Sequence, residues 1–311
     1  MGMKHIANSW DKGELTLSDI NVIGLSNPRI GVIGFGEVGQ AFVPHILKKT
    51  DQVYVYDILL EEKEHPMASQ IEKVGAKIAK SNGEIAETCD LIFLLVPSSS
   101  AADVAKEVGQ KIRKGSVFLD LTTSTPQLKL SNAQLIEAGG GIYVDIAIMS
   151  TVASERHRVP LLIAGEYAEQ IKAFLDNYGF NGEAILRPTG SAASIKLIRS
   201  IFMKGFEALM LETMITAEKY GVREEVLDSI STTVRNNGFR GLAELSMKTH
   251  MIHKQRRYKE VGDSLALIKA AQLPSHVTEG VFNFFAHSVT VDTSDCSLDT
   301  ELQEILHKYL T

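Results

Sequence analysis

The residues best placed to do chemistry begin with Gly34-Phe35-Gly36-Glu37-Val38-Gly39, which follows the apolar run Arg29-Ile30-Gly31-Val32-Ile33 and leads into a helical stretch from Gln40 to Lys49. A second apolar run, Val53-Tyr54-Val55-Tyr56, then closes on Asp57. A GxGxxG spacing inside a strand, helix, strand unit is the chemistry of holding a dinucleotide by its phosphates. Gly34 permits a tight turn, Gly36 lets the backbone approach the pyrophosphate, and Gly39 lets the helix pack close to the strand. Free N–H groups at the helix start, including those of Phe35, Glu37 and Val38, face the phosphates. Asp57 comes 23 residues after Gly34, near the spacing of a carboxylate that takes the adenosine ribose hydroxyls. An acid there favours NAD over NADP, and Ile58-Leu59-Leu60-Glu61-Glu62 offers no arginine for a 2′-phosphate, although Lys63 adds one positive charge nearby. The alternative is a glycine-rich turn in another kind of α/β protein.

Parallel sheets bind ligands outside the carboxyl ends of their strands, so the loops there hold the next candidates. Val96-Pro97-Ser98-Ser99-Ser100 is suited to lying along a nicotinamide ribose, and equally to capping a helix. Asp120-Leu121-Thr122-Thr123-Ser124-Thr125-Pro126 crowds hydroxyls before a proline that can open a helix, so capping is again the rival. The third loop runs from Val144-Asp145 through Met149-Ser150-Thr151 to His157-Arg158. Farther on, Lys196, Arg199, Ser200, Lys204 and Glu207 recur at spacings that put all five on one helix face. The positions around them, such as Ile195, Leu197, Ile198, Ile201 and Phe202, are apolar. So narrow a polar stripe suits a cleft, or it is the wetted face of an amphipathic helix.

The elements that must carry these residues alternate. Strand patterns at residues 29–33, 53–57, 91–96, 116–121, 142–146, 161–164 and 184–186 are separated by helical runs at 61–70, 101–113, 127–138 and 166–177. That order specifies an α/β fold, a Rossmann-type doubly wound parallel sheet over residues 29–190. Residues 1–28 read as an N-terminal extension ending in the turn Ser26-Asn27-Pro28. From 191 to 220 one helix of unusual length opens an all-helical C-terminal domain, residues 191–311, with further helices at 223–234, 241–247, 250–271, 275–288 and 298–310.

The chain has 311 residues, 44% of them hydrophobic, and a net charge of −6 without a basic run, which argues against nucleic acid and anionic membrane as partners. Two distant cysteines, Cys89 and Cys296, have no metal-like spacing and read as reduced thiols. No apolar run has the ~18 residues of a membrane span, Met1-Gly2 lacks the Ser or Thr of a myristoylation site at Ile6, and the expected compartment is the cytoplasm. A small-molecule substrate is expected, with no metal.

Four signatures resemble the β-hydroxyacid dehydrogenases, which include the 3-hydroxyisobutyrate, tartronate semialdehyde and 6-phosphogluconate dehydrogenases. They are Gly34–Gly39, Asp120–Pro126, the loop from Asp145, and Gly190-Ser191-Ala192-Ala193-Ser194-Ile195-Lys196. The likeness covers residues 29 to about 290 and looks like a divergent, phosphogluconate-dehydrogenase-like branch. It implies that Lys196 is the catalytic lysine, that Thr123 contacts NAD, and that Lys259-Glu260 replaces a Lys-Asp pair reaching the cofactor. The family's Asp-Ala-Pro-Val-Ser-Gly-Gly is here Asp145-Ile146-Ala147-Ile148-Met149-Ser150-Thr151, so Met149 occupies the substrate-binding serine position, with Ser150 beside it. Arg199 and Ser200 replace the asparagines that usually follow the lysine.

Oxidising an alcohol requires a base on the hydroxyl, and a lysine that titrates near 10.4 in water must be shifted down to serve. Burial beside Arg199 would do so. Arg199, with His157 or Arg158, would pair with a substrate carboxylate, and His157 is the alternative base. The expected activity is hydride transfer between NAD and the CH–OH group of a small hydroxy acid. An imine reductase and a non-catalytic NAD(H)-binding redox sensor are the alternatives. The apolar long helix predicts a homodimer or higher homo-oligomer, against a monomer closed by its own helices.

Overall fold

The computed structural model describes residues 25–62 and 64–310. Lys63, Met1-Gly2, Ile6 and most of the expected extension lie outside the described residues. The chain divides into two compact units between Arg199 and Ser200.

In the first unit β1 (Ile30–Ile33), α1 (Glu37–Ile46), β2 (Val53–Tyr56), α2 (Met67–Val74), β3 (Lys77–Ile78), α3 (Asn82–Thr88), β4 (Leu91–Leu94) and α4 (Ala101–Gly109) follow in order. Then come β5 (Val117–Asp120), α5 (Pro126–Ala138), β6 (Ile142–Ile148), α6 (Val152–Glu155), β7 (Pro160–Ala164), α7 (Ala168–Asn177), β8 (Asn181–Ile185) and the start of α8 (Ser191–Lys219). The eight strands form one sheet in the order β3-β2-β1-β4-β5-β6-β7-β8. β1, β4 and β5 are buried at every position, as strands covered by helices on both faces must be. One apolar cluster holds Phe42, Ile71 and Phe174, and a second holds Ile85, Val108 and Ile136.

Several expectations need correction. The sheet is not wholly parallel, because β6 and β7 pair antiparallel. β3 is two exposed residues, too few to show a period. α3 was hidden by its seven-residue length, although Ser81 caps it by accepting from Glu84 N. The helix expected at 61–70 starts at Met67 because Asp57 instead caps a 3-10 turn over Ile58–Glu61.

Register puts the last residues of six strands and Asp145 of β6 in one row. Tyr56, Ile33, Leu94, Asp120, Asp145, Ala164 and Ile185 are successive partners across β2, β1, β4, β5, β6, β7 and β8. β6 runs three residues past this row, and β7 turns back to end on it. The chain therefore leaves β8 level with Asp120 and Asp145, and α8 can begin there.

The second unit is helical throughout its regular elements: the rest of α8, α9 (Arg223–Ala270), α10 (His276–Ser288) and α11 (Leu302–His307). The breaks expected at 234–241 and 247–250 reduce to one kink at Gly238, with φ 63° and ψ 161°, a conformation glycine adopts without a Cβ clash. Glu212 holds the start of α10, its carboxylate accepting from Val277 N at 2.9 Å and Thr278 N at 2.8 Å. Many apolar side chains are exposed here, among them Ile201 at 75%, Leu211 at 59% and Phe239 at 61%. A cavity of about 820 Å³ is lined by Leu209, Tyr220, Val261, Leu267 and Val281. Among the described residues no helix is long and apolar enough to cross a membrane.

Candidate active site

The three glycines do three different jobs. Gly34 has φ +98°, and a Cβ there would come within 2.8 Å of Leu95 O. A Cβ on Gly39 would come within 2.5 Å of Gly34 O, so the start of α1 lies directly against the turn. Gly36 differs: a Cβ would meet nothing within 4 Å, and the residue is the N-cap of α1 without any side-chain capping bond. Open space over a glycine beside an uncapped helix N-terminus fits a pyrophosphate. Glu37 is exposed at that turn, while Val38 is half-buried and packs on the core.

Asp57 ties this turn together. Its Oδ2 accepts from Phe35 N at 2.7 Å and its Oδ1 from Leu59 N at 3.0 Å. The Phe35 side chain is buried in the core, and its N–H is the group that donates to Asp57. Val96 is half-buried next to Gly34, with Pro97 and Ser98 exposed beyond it. No serine of this loop caps the 3-10 turn Ser98–Ser100 or α4.

In the hydroxyl-rich loop the duties separate. Thr125 caps α5 by accepting from Leu128 N, as the capping alternative foresaw. Thr122 donates from its hydroxyl to Asp120 Oδ1 at 2.6 Å and pairs with Ser124. Thr123, exposed, accepts from Lys196 Nζ at 2.8 Å. Lys196 is half-buried, and that burial, aided by the positive Lys129, holds its ammonium below the usual lysine value. Arg199, one turn farther along α8, is exposed.

Asp145 is not open to a substrate. It is fully buried, and its Oδ2 accepts from Gly190 N at 3.0 Å, Ala192 N at 3.1 Å and Ala193 N at 3.3 Å. Three N–H groups at the start of α8 are thus satisfied by one carboxylate, favourably placed against the helix dipole. Its Oδ1 makes no hydrogen bond but lies 3.4 Å from Lys129 Nζ.

Sequence patterning did not single out Lys129, Asn132 or Tyr143. Lys129 is fully buried and donates to Asp120 O at 2.7 Å and Asp120 Oδ1 at 2.8 Å. Asn132 and Tyr143 donate to Asp120 Oδ2 at 3.2 and 2.7 Å. Burial alone would raise the Asp120 carboxyl, but Lys129, Thr122 and Tyr143 hold it below 3.8. The same burial, with Asp120, keeps the Tyr143 hydroxyl protonated. The missed signal was on α5, where Lys129 and Asn132 share the buried stripe of Ala133 and Ile136.

Other candidates lie elsewhere. Met149 is half-buried among Ala147, Leu162 and Ala192. Ser150 donates to the Glu155 carboxylate. His157 stacks on His45 at 3.5 Å and abuts Phe180, and burial, with His45 and Arg158, holds it below 6.5. No contact joins it to Lys196 among the described residues. Ser200 and Lys259 belong to the second unit, where Ser200 is half-buried and Lys259 exposed. Among the described residues no group of three or more His, Cys, Asp or Glu side chains could hold a metal ion.

Comparison with known proteins matches residues 29–202 to the NAD binding domain of 6-phosphogluconate dehydrogenase, and residues 217–288 to a domain of unknown function, DUF1932. An uncharacterised 28.5 kDa protein of Methanothermus fervidus is 27% identical over 83% of this chain and 98% of its own. The mitochondrial 3-hydroxyisobutyrate dehydrogenase of Rattus norvegicus is 23% identical over 57% of this chain, which spans about half of that enzyme, 53%. Among solved structures, a protein of unknown function described as structurally similar to 3-hydroxyacid dehydrogenases is 26% identical, with a TM-score of 0.58 over 90% of this chain and 98% of its own. An imine reductase variant of Myxococcus stipitatus, in complex with NAD+, has a TM-score of 0.72 over 90% of this chain and 99% of its own; at 18% identity it speaks for the fold alone.

Proposed function

The chain belongs to the family of the NAD binding domain of 6-phosphogluconate dehydrogenase, and on that premise we propose that it is an NAD-dependent oxidoreductase acting on the CH–OH group of a small anionic hydroxy acid. The observation that carries the proposal is the Lys196 to Thr123 hydrogen bond of 2.8 Å, beside the ends of the strands. Gly36 and the N-terminus of α1 would hold the pyrophosphate, Asp57 the adenosine ribose, and Val96, Pro97, Ser98 and Thr123 the nicotinamide half. When bound, the cofactor supplies the hydride acceptor. Neutral Lys196 takes the hydroxyl proton onto Nζ, and its lowered affinity for that proton enlarges the neutral fraction. In the reverse direction its ammonium donates the proton. Arg199 supplies a bidentate partner for the substrate carboxylate. Packing on His45 and Phe180 weighs against His157 as the base.

The proposal extends to assembly and compartment. Exposed Ile201, Phe202, Leu211 and Ile215 on one helix support a homodimer or higher homo-oligomer. Free Cys89 and Cys296 suit a reducing cytoplasm.

A screen of NAD and NADP reduction over phosphorylated and unphosphorylated hydroxy acids, with cyclic imines in the reverse direction, tests this in wild type and Lys196→Ala. The variant should lose at least ~10²-fold in kcat with little change in NADH affinity. Turnover of imines alone would make the protein an imine reductase. NADH binding without any turnover would make it a sensor, and full activity in Lys196→Ala would reassign the base.

A further inference from the structure

Asp120 and Asp145 are direct partners on neighbouring strands, and both are fully buried. Two such carboxylates side by side would force one to keep its proton unless a cation lies between them. Lys129 supplies it, 2.8 Å from Asp120 Oδ1 and 3.4 Å from Asp145 Oδ1, with a further bond to Asp120 O.

Each carboxylate also has a second task. Asp120 Oδ1 accepts from Thr122 N at 3.0 Å and from the Thr122 hydroxyl, one residue before Thr123. Asp145 Oδ2 holds the N–H groups of Gly190, Ala192 and Ala193, one turn before Lys196. Thr122, Asp120, Lys129, Asp145, the start of α8 and Lys196 thus form a connected path that the bond from Lys196 to Thr123, the chain neighbour of Thr122, closes into a ring.

We propose that Lys129 is a positioning residue for proton transfer: its buried ammonium clamps Asp120 to Asp145 and so fixes the Thr123 loop and the Lys196 helix in one geometry. The inference rests on Lys196 being the acid/base. Lys129 acts through Lys196 without touching substrate, and after burial its charge is the other influence lowering the Lys196 ammonium.

Lys129→Met keeps most of the stem's volume and removes the charge. Lys196 can be followed without substrate by titrating 13C-methylated protein by NMR, its signal assigned by loss in Lys196→Arg. In Lys129→Met the Lys196 midpoint should rise, because the nearby positive charge that lowers it is gone. Turnover of the best hydroxy acid from the screen should fall on the order of 10²-fold, with NADH affinity unchanged.

Lys129→Met/Asp120→Asn removes a carboxylate along with the ammonium and returns the cluster to its original net charge. Asn132 Oδ1, which has no hydrogen-bond partner, can turn toward the new amide. The double variant restores the charge balance without the clamp, so its Lys196 midpoint should lie close to wild type while turnover stays low, and this comparison with wild type stands even if Lys129→Met alone does not fold. An unchanged midpoint in Lys129→Met, a double-variant midpoint far from wild type, or wild-type turnover in the double variant would overturn the proposal and leave Lys129 a packing residue. Failure of the acid/base assignment looks different: the titrations behave as described while Lys196→Ala stays active.

Discussion

Alanine at Gly36 and at Gly39 is the same change of one methyl group, three residues apart, with opposite expected consequences. At Gly36 the methyl enters open space, and the backbone, at φ −71° and ψ −155°, is open to any L-residue, so stability without cofactor should move by less than about 0.5 kcal/mol. A pyrophosphate seated over that space would lose one charge-assisted N–H contact of about 1.5–3 kcal/mol. NADH affinity should therefore fall roughly 10- to 100-fold. At Gly39 the methyl lands 2.5 Å from a backbone oxygen, half an ångström inside the closest approach that real Cβ atoms show. Overpacking of that kind destabilises by about 1–3 kcal/mol, or several degrees in Tm for a unit of this size. NADH fluorescence titration and thermal melts at fixed protein concentration separate the two effects. If Gly36→Ala binds NADH like wild type, or melts as early as Gly39→Ala, the cofactor does not occupy the space assigned to it.

Because Lys196 is held below 10.5, oxidation, which needs the neutral amine, should rise with pH through a midpoint below that value; reduction, which needs the ammonium, should fall through the same midpoint. Profiles of kcat in both directions check the sign, and parallel slopes would rule Lys196 out as the shared group. Asp57→Ala should erode the preference for NAD, since the 2′-phosphate of NADP no longer meets a carboxylate; a kcat/KM ratio that stays put would show that discrimination lies elsewhere. Sedimentation equilibrium at micromolar concentration should give a multiple of 34.1 kDa, and a fully active monomer would refute the assembly.

The strand positions and the three glycines were legible because short apolar runs and GxGxxG act locally. Antiparallel β7 was not, since residues 160–164 are apolar whichever way the strand runs. Asp145 was read for its place after a strand, and only the fold shows that the nearest donors are the start of a helix 45 residues on. Lys129 escaped for the opposite reason: a lysine on a helix is ordinarily solvated, and its burial depends on two carboxylates delivered by separate strands.

The antiparallel return from β6 to β7 has an evolutionary consequence. Residues 149–159 leave the sheet beyond the row of strand ends and rejoin it at a register fixed by Ile148 opposite Leu161; Met149 packs on Ala192 at the start of α8, and beyond it the length of the segment is not set by the register that places Lys196. On the proposed reading of Lys196, such a segment can change in length while the residue that moves the proton stays where it is. A two-residue insertion after Ser150 should accordingly alter substrate preference and leave the Lys196 titration where it was; a shifted titration would show that the loop and the lysine evolve as one.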